Sequence, residues 1–336
     1  MEFTRRLGQT QATTHFALPI DAPAHWQELS AGIWQTHIDL PDLPSKHIII
    51  PSFALVGADF RFQFQLQHEQ GTNTLRPLPA DTDASLFAPP SDNSSALSGH
   101  IDCWHTETAV KSPRLVLRTQ SVAPPNHYVY VASLRPIDLE PSDTFAEIGQ
   151  SPKPPAISQM AATADIRKRI CSPTALAMAL AQLSEMSGSK QLERFWLQLV
   201  EECYDPVTRA YGMWPQAIYQ ANRRGFLATV ESNIDWQKVH HALDQQTPIV
   251  CSIRFAEGTL DHAPMTQTSG HLVLLYGVNA TEVLVMDPAA ENTAAVGRVY
   301  DRKQFAAAWL THRGAAYFFS RDANARQKLE SQSRSN

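Results

Sequence analysis

"RKRICSPTALAMAL", residues 167–180, sets three cations against a cysteine and follows them with a run readable only as a helix. Pro173 stands in the first turn, where a missing N–H leaves nothing unpaired. Leu176, Leu180 and Leu183 recur at helical spacing, with Met178 and Ala179 beside them. Cys171 therefore opens a helix. Unpaired N–H groups and the positive end of the helix dipole stabilise a thiolate there, and Arg167, Lys168 and Arg169 add to that field. Position alone leaves two readings open: an activated nucleophile, or a small residue of a type that packs as an apolar group.

Beyond this helix, apolar stripes predict further helices over 190–203, 214–224 and 235–246, the last carrying Trp236, Val239 and Leu243 on one face. Strands are expected at 248–255, 271–278, 282–286 and 315–319. Helices first and strands afterwards make an α+β domain rather than an alternating parallel one. Upstream the pattern has a period of two. In "FRFQFQLQ", Phe60, Phe62, Phe64 and Leu66 alternate with Arg61, Gln63, Gln65 and Gln67, the signature of a half-buried strand. Similar runs at 46–50, 114–119 and 127–134 make the first half an all-β, sandwich-like or barrel domain. Between the halves, "RPIDLEPSDTFAEIGQSPKPPAIS" (135–158) is proline-rich and without period, as an extended linker would be. The expected organisation is a β domain over 1–140, a linker over 141–154, an α+β domain over 155–322 and a polar tail over 323–336.

Composition bounds the partners. With 43% hydrophobic residues and 18% charged, the 336-residue chain has material for real cores. A formal charge of −5 gives no electrostatic reason to expect nucleic acid or an anionic membrane surface. The N-terminal stretch lacks the apolar segment of a secretory signal, so a cytoplasmic location is expected, and no run approaches the ~20 apolar residues of a membrane span. Cys103, Cys171, Cys203 and Cys251 are far apart and form no CxxC pair, so neither a disulfide framework nor a zinc knuckle is indicated. No motif implies a cofactor, and oligomeric state is not legible.

A thiolate needs a base, and "TSGHLVLLYGVNATEVLVMDPAA" (268–290) offers one. His271 follows Gly270 at the start of an expected strand, a placement that leaves its imidazole at the sheet edge. The chain turns near Asn279 and returns through a second strand ending at Asp287-Pro288. In such a hairpin the start of the first strand and the end of the second come side by side. Asp287 is thus placed to orient His271, completing a Cys-His-Asp set for nucleophilic catalysis.

These residues carry a resemblance. "SQM…CSPTALAMAL" followed by "GHLVLLYGV" and "VMDPAA" resembles the papain-like cysteine peptidases of family thirty-nine, which include the bacteriocin-processing domains that remove double-glycine leaders, and in particular their stand-alone relatives. The resemblance spans roughly 155–320. It implies a papain-like fold with Cys171 as nucleophile, His271 as general base and then acid, Asp287 as orienting residue, and Gln159 as oxyanion-hole donor alongside the Cys171 backbone N–H. It implies hydrolysis of peptide or amide bonds in a peptide or protein substrate. The same machinery serves amidases and acyltransferases, and the fold can persist in a catalytically silent binding or scaffolding protein. Where the family more often has glycine after the nucleophile, this chain has Ser172, whose side chain is expected to narrow the approach to the thiolate.

Other features are weighed against blander explanations. In "GHIDCWHTE", a strand would send His100 and Asp102 one way and Cys103 and His105 the other, so no metal site is expected. Cys203 and Cys251 read as core. "YDPVTRAYGMWPQAI" brackets an aromatic loop with Gly212 and Pro215, and Trp214 is either a cleft wall or a buried staple at a helix start. The polar stretch 256–270, ending in Gly270, delivers His271 and so belongs beside the site. His262 within it is a weaker binding candidate.

Overall fold

The computed structural model describes residues 3–6, 25–55, 60–79, 81–83, 85, 87–92, 95–125, 128–141 and 149–320. The expected polar tail and residues 142–148 of the expected linker lie outside them. The chain combines helices and sheets, as an α+β reading requires. None of the described helices is long and apolar enough to cross a membrane.

Among the described residues, the first half builds two antiparallel sheets. One has five strands in the order Phe3–Arg6, Tyr128–Pro136, His47–Leu55, Trp104–Thr106 and Leu97–Gly99. The other has six, in the order Gln27–Ser30, Ile33–Asp39, Arg114–Gln120, Arg61–His68, Gly71–Thr74 and Ser91–Asp92. Phe53, Tyr130 and Leu134 of the first sheet and Phe62, Phe64 and Leu117 of the second share one apolar cluster. The alternation in "FRFQFQLQ" does mark a strand, but not a half-buried one. Gln63 and Gln65 are as buried as the phenylalanines, because backbone at Leu75 and Ala88 lies over the second face. Gln63 Nε2 donates to the carbonyls of Leu75 (3.0 Å) and Ala88 (2.7 Å), which supplies the partners a buried amide needs.

The second half sets five helices around a seven-stranded sheet. The helices are α1 (Cys171–Leu183), α2 (Ser189–Glu202), α3 (Trp214–Arg223), α4 (Gln237–Asp244) and α5 (Arg302–Leu310). The sheet runs Leu227–Ser232, Ala315–Ser320, Ile249–Phe255, Thr268–Val278, Glu282–Met286 and Gly297–Asp301, with Gly149–Gln150 pairing on Thr268–Val278. Residues 149–150, read from sequence as linker, are thus laid onto the sheet. Helix α1 departs from the one-sided stripe expected of it, since every residue from Ser172 to Leu183 is buried. The alternating Ala175, Ala177, Ala179 and Ala181 allow strands and helices to approach it from all sides, and a helix apolar all round is stable only when enclosed. Its polar residues find partners inside: Thr174 Oγ1 donates to the Ile170 carbonyl and accepts from Trp196 Nε1.

The halves share core. Ile48, Ile50 and Cys103 belong to the cluster built around Leu176 and Leu180, while Met213 and Tyr219 pack with Phe60 and Phe62. Arg135 is fully buried and donates to the carbonyls of Asn233 (2.6 Å) and Leu310 (2.7 Å). Arg76 grips Asp205 at 2.9 and 3.2 Å.

Candidate active site

The sequence puts Cys171 at the first position of α1, and no side chain caps that helix end, so its leading N–H groups remain directed at the sulfur and the space before it. Cys171 is partly exposed, whereas Cys103, Cys203 and Cys251 are buried, and all four are free thiols. The environments divide them further. Burial pushes the three buried thiols up, Cys203 to about 12. Burial works against the Cys171 thiolate too, but the hydrogen bond and charge of His271, joined by the N–H groups of Leu272 and Ser172, outweigh it and hold this thiol below its ordinary value.

His271 reaches Cys171 from the strand Thr268–Val278. That strand starts three residues earlier than the sequence suggests, so His271 is an interior position, buried against Ile253, rather than a residue at the sheet edge. The expected hairpin forms through a turn in which Asn279 N–H donates to Glu282 O, and the return strand Glu282–Met286 ends one residue before Asp287. A register shift between Leu275 and Gly277 accompanies this pairing. The ring nitrogen Nε2 of His271 lies 2.8 Å from Asp287 Oδ1, which leaves Nδ1 for the Cys171 sulfur. Asp287 accepts two further bonds, from Tyr300 OH to Oδ2 (2.7 Å) and from the Ala289 N–H to Oδ1 (2.9 Å).

The electrostatics are mutually consistent. Burial disfavours the imidazolium, yet the charge and hydrogen bond of Asp287, with help from the Cys171 thiolate, push His271 up to about 10. Asp287 is raised by burial and lowered more by His271, Tyr300 and the Ala289 N–H, so it stays ionised. The arrangement sets a thiol lowered by its surroundings beside an imidazole raised by its own, a pairing that favours the thiolate and the imidazolium.

A cleft of ≈ 660 Å³ opens in front of the sulfur, and Trp214, Gly270, Leu272 and Cys171 line it. Trp214 unites both readings of its role: it is buried at the start of α3 and forms cleft wall. Gly270 is exposed, with open space where a Cβ would stand. Ser172 is placed differently from expectation. Being one helical step on from Cys171, its side chain turns inward, and its hydroxyl lies 3.1 Å from Tyr317 OH, so only its backbone N–H meets the sulfur. Gln159 is buried in a short 3-10 turn whose backbone is tied to Pro288 O beside Asp287. Its Nε2 donates to the Arg167 carbonyl (2.7 Å), and it is not among the residues lining the cleft. His262 lies outside that lining as well.

Tyr300 and the segment 100–102 contribute to the site in ways that no local sequence pattern indicates. Tyr300 comes from a short strand, Gly297–Asp301, whose pattern gives no hint that its hydroxyl serves Asp287. His100, Ile101 and Asp102 extend the cleft wall from the first half, where Asp102 Oδ2 accepts the Trp214 N–H at 3.2 Å. The strand geometry assumed for residues 100–103 does not hold: they form a turn closed by the His100 N–H on Cys103 O, and the His100 and His105 rings stand 4.0 Å apart.

Residues 153–317 match the family model described as Peptidase_C39 like family. The match supports a C39-like peptidase domain over these residues. No curated protein matches the chain. The matched region begins just after the strand Gly149–Gln150 and contains Cys171, His271 and Asp287, together with the helices and the sheet that carry them.

Proposed function

We propose that the chain is a cysteine peptidase of papain-like fold, its catalytic unit within 155–322 and residues 1–140 forming a sandwich-like accessory module. The observation that carries this reading is the continuous line from the thiol lowered by His271, through the 2.8 Å contact of His271 with Asp287, at the foot of an open cleft. The Cys171 thiolate attacks the substrate carbonyl carbon, forming a C–S bond and an oxyanion that the Cys171 N–H stabilises. Gln159 joins it with the amide hydrogen not spent on Arg167. The His271 Nδ1 proton passes to the departing amine as the C–N bond breaks, leaving a thioester. His271 then takes a proton from water, the hydroxide adds, and the acid leaves with the thiolate restored.

Expected results follow for Cys171→Ala. Wild-type protein labels with iodoacetamide at Cys171 faster than a free thiol at neutral pH and cuts members of a peptide library. The variant does neither, while its circular dichroism is unchanged. Slow labelling of wild-type Cys171 overturns the activated-nucleophile reading. One observation favours a second reading: the Gln159 amide is engaged by Arg167 and stands outside the cleft lining, as suits a binding protein that keeps the fold without turnover. Rapid labelling without any cleavage selects it.

A further inference from the structure

The cleft has a charge opposite to that of the molecule. The chain carries 33 acidic against 28 Lys and Arg residues, yet Lys168, Arg169, Arg209, Arg254 and Arg313 line the space in front of Cys171 against, among the described residues, the single carboxylate of Asp102. That carboxylate is buried and bound to the Trp214 N–H, and burial raises its pKa, so the cations outnumber it five to one.

The cations come from four separate segments: the turn before α1, the loop before α3, the end of the strand Ile249–Phe255, and the turn after α5. A solvated helix face would place like charges on one element, whereas here the fold gathers them. Two are fixed by aromatic faces. The Arg169 guanidinium stands 5.6 Å from the Tyr211 ring centre and donates to the Arg209 carbonyl, and Arg313 stands 5.7 Å from the Trp214 ring centre. Lys168 and Arg254 are exposed and form no ion pair among the described residues. A second cavity of ≈ 740 Å³ shares Arg254, Ser269 and His312 with the first, so the groove extends beyond the cleft on that side. Cations spread along a groove match carboxylates spread along an extended chain better than one compact anion, which needs donors converging on a point.

We infer that the groove selects an acidic peptide, seating aspartate or glutamate side chains on either side of the bond presented to Cys171 against these five cations. The inference rests on the peptidase reading for its reacting bond, but its test does not need turnover. Cys171→Ala protein is titrated at low ionic strength with a fluorescein-labelled octapeptide carrying four glutamates, and with its four-glutamine counterpart. The glutamate peptide is expected to bind about tenfold tighter, a preference of the size that a focused field gives. Adding Lys168→Gln and Arg254→Gln cuts it about fivefold, and 0.5 M salt removes most of the remainder. Both substitutions are at exposed positions, so circular dichroism should be unchanged. Equal binding of the two peptides, no binding of either, or a preference insensitive to both the substitutions and salt overturns the inference. Failure of the peptidase reading shows separately, as an unreactive Cys171 in the wild-type protein.

Discussion

Replacing Asp287 by Asn keeps an oxygen where His271 Nε2–H donates and removes the charge, so it isolates the electrostatic part of the site. His271 is lifted from the ordinary 6.5 to about 10. A lift of that size corresponds to roughly 5 kcal/mol of preference for the imidazolium. Burial acts against it, so the anion of Asp287 has to supply most of the gain, the Cys171 thiolate adding the rest. Without the anion, a buried imidazole falls to its ordinary range or below, and the thiolate loses the partner that lowered it. The assay is the rate of Cys171 alkylation by iodoacetamide against pH. In the wild type the acid limb lies below the ordinary thiol range, and the thiolate–imidazolium pair persists until His271 deprotonates near 10. In Asp287→Asn the acid limb should move up by about one to two units, and kcat/KM at neutral pH should fall by roughly 10²- to 10³-fold. Stability follows the same linkage. A group raised in the folded state stabilises fully below its unfolded value of 6.5 and loses that contribution as pH climbs through about 10. Because the lowered Cys171 thiol gives up its proton on folding while His271 takes one up, the two contributions cancel above 6.5, and wild-type protein should weaken only from about the unfolded thiol value of 9.0 towards 10. If the two alkylation profiles coincide, Asp287 does not charge the pair and the reasoning fails.

Three further outcomes concern how the site is held. Asp205 is buried and held down at about 2, where burial is outweighed by Arg76, Thr208 and backbone N–H groups. Arg76→Ala should cost about 2 kcal/mol in urea unfolding at pH 7, and the difference from wild type should shrink as pH falls from about 4 through 2, the window in which a depressed carboxylate loses its contribution. Gly314 has φ +57°, and a Cβ there would stand 2.0 Å from Asn233 O and 2.3 Å from an Arg135 guanidinium nitrogen, so Gly314→Ala should lower stability by roughly 3 kcal/mol or more, read by thermal unfolding. Residues 153–320 expressed alone should bind a hydrophobic dye and melt without a cooperative transition, because Ile48, Ile50 and Arg135 no longer complete their core; a cooperative melt would show that the first half is dispensable for folding.

What the sequence disclosed follows the range of the forces involved. The start of α1, the hairpin around Asn279 and the strand Glu282–Met286 rest on neighbours within a few residues, and each stands within three residues of where the pattern placed it. The strand Leu227–Ser232 was not legible because Thr229 and Glu231 break its apolar run. Only the fold explains them, by burying Glu231 beside Lys238 and the Thr229 hydroxyl. Helix α5 was missed for a related reason: "RKQFAAAWL" begins with three polar residues and crowds its apolar ones at the far end, so no stripe develops. Ser172 shows the converse limit, since a residue adjacent in sequence to the nucleophile was assumed to share its surroundings, and one helical step of rotation sends it to Tyr317 instead.

The first half bears on the chemistry through position rather than through a catalytic group. Its Asp102 holds the backbone of Trp214, Trp214 forms the cleft wall, and Arg313 lies over that indole ring. Arg135 donates to the carbonyl of Asn233, and a side chain at Gly314 would disrupt that bond, because its Cβ would collide with both partners. Gly314 directly follows Arg313, so the packing of the two halves sets where a cleft cation stands. The geometry in front of Cys171 is therefore a property of the described chain as a whole, although Cys171, His271 and Asp287 all lie within 153–317.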